Sequence, residues 1–388
     1  MISLPSLFKK QKKEKIPFVL DIGTEAVKVL AFKKRNGKIT VLGNSTQYFN
    51  RFGVFDSRDF ETSVIKNAIL NGIEEVKEQT GVEIKSVFLN LPASVFKAKI
   101  DFCSFSRKEP KEIISETEKN HIFQQVLKEI KEKISQKFSN ESGILSKEIS
   151  YLSLKILDMK IDGYAVSDLE GYKGKNLEFR ILATFLLKFY FENFKKILES
   201  LNIKIFEIVH PVLSLINIFK KENSVFIDIG GELSQIFWIN DGKLESVDIF
   251  DIGGKNFSQT LSESLGLEEE EARVFKERYS KKELSEEVRK RIKEIFSPEI
   301  QNWFKELKIR LKNSKILLPS KISLFGGGSL LPEIEEILEE GDWEGLSFAV
   351  PPETKVILPK DFKDIEDKTK NLNNPQNIPP LLLCYHAR

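Results

Sequence analysis

Cysteine, methionine and histidine are scarce, with two, two and three residues in a chain of 388. Cys103 and Cys384 cannot build a disulfide framework, and no Cys/His spacing resembles a metal cluster. His121, His210 and His386 stand among unrelated neighbours, so spacing marks out no Ser/His/Asp set and no carboxylate pair. No run of about 18 apolar residues is present to span a bilayer. The start, MISLPSLFKKQKKEK, places apolar residues ahead of its lysines, the reverse of a secretory signal. Nor is one charge in surplus: 60 Lys+Arg face 58 Asp+Glu, a formal +2. Nucleic-acid binding therefore has no basic excess to rest on. What remains reads as a mixed α/β protein, expected to be soluble and cytoplasmic. At about 100–200 residues per domain it is long enough for two or three folded units.

Along the chain, residues 1–15 form a basic arm. IPFVLDIG (16–23) then reads as a buried strand closing on Gly23, and VKVLAFKK (27–34) as a second strand. Asn36-Gly37 marks a hairpin turn. Ile65, Ile69, Ile73 and Val76 have helical spacing, and Gly81 ends that helix. After the strand 87–91 the texture changes to a long charged helical stretch, an alternating strand and a Gly/Tyr-rich loop. Residues 84–178 are read as an inserted α+β subdomain. LEFRILATFLL (177–187), a helix and IKIFEIV follow, an order that argues for a crossover unit within one sheet. Pro298 is expected to break the helical pattern of 284–296 and start a new helix. The resulting division is 16–83 and 179–222 for a first domain and 223–388 for a second, with a helical subdomain at about 265–318.

One echo carries chemistry. Strand–Asp–Ile–Gly occurs twice, as VLDIGT (19–24) and FIDIGG (226–231), each followed by a strand and a hairpin. A glycine turn lets backbone N–H groups approach phosphate oxygens with no Cβ in the way. The strand-end aspartate can hold a hydrated divalent cation bridging the phosphates. A third turn, FGGGS (325–329), lies between a strand and a helix and could admit a nucleoside to the backbone. Each tripeptide alone is commonly just a strand end; the three in this order are more specific.

Taken together, these turns resemble the phosphate 1, phosphate 2 and adenosine motifs of the actin-like ATPase superfamily. Within it, the insert after VKEQTGVEIKSVFLNLPASVF is similar to that of the division protein FtsA and its relative PilM of type IV pilus assembly. NNPQNIPPLLLCYHAR resembles the FtsA final-helix entry, and SLFKK resembles a PilM-type leader. The resemblance spans about 16–388 and implies an α/β, actin-like two-domain fold of duplicated sheet-and-helix domains. It implies phosphate contacts at Asp21, Gly23, Thr24 and Lys28, and at Asp228, Gly230 and Gly231. Gly253 and Gly254 match the turn before the next helix, and Gly326, Gly327, Gly328 and Ser329 the adenosine contact. The implied cofactors are ATP and magnesium; no catalytic residue and no protein-held metal is assigned.

Departures from the pattern bear on activity. Where the family reads three glycines, two threonines and an acid, this chain has Gly230, Gly231, Glu232, Leu233, Ser234 and Gln235, and His210-Pro211 replaces a usual Glu-Pro. A glutamate in a phosphate turn adds a like charge unless it points away or a cation intervenes. The resemblance thus implies at most a weak ATPase, and no aspartate is placed as a kinase base. Its family usually ends in a membrane-tethering amphipathic helix, which LLLCYHAR does not resemble. Ile2, Leu4, Leu7 and Phe8 ahead of five lysines instead read either as a short interfacial anchor or as a solvated basic leader interrupted by Pro5. The expected role is a scaffold linking division proteins to the cytoplasmic face of the inner membrane, with nucleotide-dependent self-assembly. A PilM-like pilus adaptor is the alternative, and an actin-fold kinase a remote one.

Overall fold

The computed structural model describes residues 16–50, 53–55, 61–312, 317–348 and 350–387. The arm, with Ile2, Leu4, Leu7 and Phe8, lies outside the described residues. The chain opens with β1 (Phe18–Ile22), β2 (Ala26–Arg35), β3 (Lys38–Tyr48), α1 (Thr62–Thr80) and β4 (Ser86–Asn90). Next come β5 (Phe96–Ser106), α2 (Glu116–Ser142), β6 (Ile149–Ile161), β7 (Tyr164–Val166) and β8 (Asn176–Leu187), then α3 (Lys188–Ser200), β9 (Lys204–Ile208) and α4 (Pro211–Ile218). A second series follows: β10 (Ser224–Ile229), β11 (Ser234–Asn240), β12 (Lys243–Phe250), α5 (Gly254–Leu265), α6 (Glu269–Ser280), α7 (Glu286–Lys312), β13 (Lys321–Phe325), α8 (Pro332–Glu340) and β14 (Glu353–Val356). The last elements are β15 (Ile365–Asp367) and α9 (Ile378–His386).

The strands form three sheets, ordered β15-β3-β2-β1-β4-β9, β12-β11-β10-β13-β14 and β5-β8-β6-β7. The first two repeat one plan. Two antiparallel strands meander away from a leading strand, and two parallel strands add on its other side. Both leading strands are buried along their whole length, as suits runs that are apolar but for Asp21 in the first and Ser224 and Asp228 in the second. The expected turn at Asn36-Gly37 is present, and Asp241-Gly242 is its counterpart in the second sheet, with positive φ at every residue, the conformation that suits a right-twisted hairpin.

Sheet membership corrects four sequence expectations. The strand after residue 84, β4, belongs to the first sheet, beside β1, so the third sheet begins only at β5. At the far end β8 runs past residue 178 as the central strand of that third sheet. The expected 177–208 crossover is therefore absent: β8 and β9 lie in different sheets with α3 between them. The tail also returns. β15 pairs with β3, and α9, buried from Ile378 to Cys384, packs under the first sheet and α4 rather than in the second domain. Finally, α7 passes through Pro298 unbroken. Its stripe Ile292, Phe296, Ile300, Trp303, Phe304 and Leu307 is buried on both sides of the proline, and that packing offsets the lost backbone bond.

Candidate functional site

The duplicated strands end at one cleft. In each leading hairpin a glycine amide closes the turn: Gly23 N–H donates to Ala26 O and Gly230 N–H to Leu233 O, both at 2.9 Å. The registers match as well, pairing Asp21 with Lys28 and Asp228 with Gln235. Both aspartates are buried at their strand ends. The two turns then touch, since the Glu232 amide donates to Thr24 Oγ1 at 3.1 Å. A Cβ on Gly231 would come within 2.5 Å of that hydroxyl.

Beside this junction lies a cavity of about 370 Å³, within the size range of small-molecule sites. It sits beyond the carboxyl ends of parallel strands β1, β4, β10 and β13, where ligands of open α/β sheets bind. Its walls include Asp21, Gly23, Thr24, Lys28, Asp228, Gly230, Gly231, Gly254 and Gly326–Gly328.

No protein-family model matches the sequence. Among curated proteins, cell division protein FtsA of Streptococcus pneumoniae serotype 2 (strain D39 / NCTC 7466) is 25% identical over 369 residues, covering 88% of this chain and 76% of that protein. FtsA of Enterococcus hirae is 24% identical, covering 83% and 75%. Among solved structures, a PilM-PilN type IV pilus biogenesis complex aligns with a TM-score of 0.66 at 16% identity, over 96% of this chain and 99% of the other. Ethanolamine utilization protein EutJ from Carboxydothermus hydrogenoformans aligns with a TM-score of 0.51 at 12% identity, over 96% and 90%. Over most of its length the chain is thus similar to FtsA in sequence and shares its fold with the PilM-PilN structure.

In this FtsA/PilM-like frame, two of the residues singled out by sequence stand behind the wall rather than on it. Gly253 buttresses the second turn: a Cβ there would lie 2.5 Å from Gly231 O. The amides of Gly254 and Lys255 donate to Gly230 O and Gly231 O at 2.8 and 2.7 Å, so the start of α5 holds the turn from behind. Ser329 is buried, its hydroxyl donating to Gly326 O at 2.8 Å. Glu232 does not face the cavity uncompensated, because Lys255 Nζ lies 3.3 Å from its Oε1.

Electrostatics at the floor are set by Lys28, Asp21, Asp228 and His210. Lys28 Nζ lies 3.1 Å from Asp21 Oδ2, and Asn90 Nδ2 donates to Asp21 Oδ1 at 2.7 Å. Asp228 is pushed up to about 7 by burial, with Lys28 pulling against that and Asp21 adding to it. His210, buried between Phe96 and Phe237, is pushed down to about 3 by burial and then by Lys97. It is thus a neutral imidazole, whose Nδ1 accepts the Val212 amide at 3.2 Å and caps α4. Among the described residues, no group of three or more His, Cys, Asp or Glu side chains could hold a metal ion.

Several wall residues carry no motif. Lys276, Glu277 and Ser280 come from α6 and Lys281 from its C-cap, Tyr48 from the end of β3, and Asn374 and Gln376 from the tail. Lys276 donates to Gly254 O at 2.5 Å. Arg273 donates to Phe49 O at 2.5 Å and lies 4.9 Å over the Tyr48 ring, while Tyr48 Oη donates to Gln376 Oε1 at 2.9 Å. The spacing 276, 277, 280, 281 traces one helical face, but in sequence it is indistinguishable from a solvated charged face.

Proposed function

We propose that this chain is a nucleotide-binding scaffold of the bacterial division machinery, acting with other division proteins at the cytoplasmic face of the inner membrane. The observation that carries the nucleotide reading is the Thr24–Glu232 contact, which joins two duplicated glycine turns at the edge of one cavity. A nucleoside triphosphate suits these walls. Gly23, Gly230 and Gly231 let phosphate oxygens reach the backbone, Lys28 supplies a fixed cation, and Gly326–Gly328 with the polar face of α6 bound the space for the nucleoside. The two buried carboxylates fit a hydrated magnesium, whose charge would neutralise phosphate and restore Asp228 to its ionised form. Asp21 and Asp228 are the residues that would hold it. Burial pushes His210 down to about 3, so its imidazole is too weak a base to take a proton at neutral pH, in keeping with at most weak turnover. The division role follows the FtsA relatives. Calorimetry with ATP and magnesium tests the site, and a fluorescent fusion followed through the cell cycle tests the role. No heat of binding at millimolar ATP would overturn the first, and absence from the septum the second.

A PilM-like adaptor function is the second reading, favoured by the alignment with a PilM-PilN complex over 96% of this chain. It predicts a fusion concentrated at pilus assembly sites instead of the septum, and binding to the cytoplasmic end of an inner-membrane pilus protein.

A further inference from the structure

The third sheet has two unlike faces. Phe179, Ile181 and Phe185 of β8 cluster with Ile122, Val126 and Ile130 of α2. Leu182, from the opposite face, shares a different core with Ala98, with Phe237, Ile239 and Leu244 of the second sheet, and with Val19, Leu30 and Phe32 of the first. Where that shared core reaches the rim, a network of four charges crosses the boundary. Arg180, 7% exposed, donates through Nε to Asp158 Oδ2 at 2.7 Å, its register partner on β6, and through Nη1 to Glu245 Oε2 at 2.5 Å on β12. Lys243, also on β12, returns to Asp158 Oδ1 at 2.8 Å. Each side contributes one cation and one anion, so separating them would strip a nearly buried guanidinium of a carboxylate partner. The same seam touches the cleft. Gln235, opposite Asp228 in register, and Ala93 lie on the cavity wall and also in the gap between β5 and β12.

We infer that the inserted subdomain is clamped to the second domain by the Arg180–Asp158–Glu245–Lys243 network and moves with it, so that rearrangement of the cleft is carried to the outer helix α2. The insert is covalently part of the first domain and shares apolar cores with both domains, but the Arg180–Glu245 and Lys243–Asp158 ion pairs tie it across the boundary to β12. A rigid-body hinge at the cleft therefore displaces α2 relative to the first sheet. This inference stands whether or not the cavity takes a nucleotide.

Spin labels test it in the full chain. Cysteines introduced at the exposed Gln136 on α2, Asn67 on α1 and Ser264 on α5 give insert-to-second-domain and first-to-second-domain distances; native Cys103 and Cys384 are buried. The 136–264 distribution is expected to be narrow, and to broaden roughly twofold in Glu245→Gln as a docked unit gains independent motion. The 67–264 distribution should stay unchanged. Arg180→Leu should broaden the 136–264 distribution further, with circular dichroism reporting whether that variant folds; if it does not, Lys243→Gln, on an exposed side chain, is measured instead. Unchanged 136–264 widths in folded Glu245→Gln and in the second variant would overturn the clamp.

Discussion

Thr24, in the first hairpin, accepts the backbone amide of Glu232, in the second, at 3.1 Å. One hydrogen bond thus joins equivalent turns of two separate sheets, and it forms only because both leading strands end at the same cleft. Thr24→Val keeps the shape and removes the acceptor. An unsatisfied amide left in a partly buried junction costs about 1–3 kcal/mol, whereas Thr24→Ser retains the bond. Urea unfolding should show the loss for Val and little for Ser. Equal losses would assign the effect to the methyl group.

The Lys28–Asp21 pair predicts a non-additive pair of variants. Both side chains are largely removed from water, at 12% and 3% exposure, so Lys28→Met strands a buried carboxylate and should cost about 3–5 kcal/mol. Asp21→Asn combined with Lys28→Met leaves no charge and keeps an acceptor for Asn90, and should recover most of that loss. Chemical denaturation of the two single variants and the double closes the cycle. Calorimetry should still find nucleotide binding weakened in the double variant, because the cation is gone.

Adjacent glycines of the third turn should behave differently. Gly326 has φ +86°, and a Cβ there would stand 2.4 Å from Asp228 Oδ1 and 2.5 Å from Ile229 O, so Gly326→Ala should cost well over 1 kcal/mol. At Gly327 the nearest atom is Gln376 Oε1 at 3.8 Å, and Gly327→Ala should alter stability by less than about 0.5 kcal/mol. Gly327 nonetheless lines the cavity, so Gly327→Val should weaken ATP binding in a protein of near-normal melting temperature. Full-strength binding by Gly327→Val would remove the nucleoside from this wall.

These contrasts also explain what could be read without coordinates. Val19–Gly23 and Phe226–Gly230 are local signals: a buried strand, an acid and a glycine turn lie within a few residues, and the two hairpins fold to the same register. Long-range pairing has no such signature. The apolar run of β8 is equally suited to either of two sheets, and only its neighbours β5 and β6 place it in the third. Ile378–Cys384 is apolar on every side, which marks burial but not the sheet against which α9 is buried. Glu277, Ser280 and Gln376 reach the cavity because α6 and the tail are carried there by packing elsewhere. Pro298 misled for the complementary reason, since a local breaker was overruled by a continuous buried stripe.

Asp228 makes a pH prediction with a definite sign. Burial raises its carboxyl from 3.8 to about 7 in the folded protein. Between those values the native state holds a proton that the unfolded chain has released, so stability falls as pH rises across this interval. Asp228→Asn imitates the protonated side chain and removes the dependence. Melting temperatures of the two proteins should therefore converge near about pH 4 and separate progressively toward about pH 8, with the Asn variant higher. A cation held with nucleotide should narrow the gap at the upper end, because it favours the ionised carboxylate that only the wild type can form. Parallel melting curves across the range would mean that Asp228 is ionised at neutral pH without any ligand.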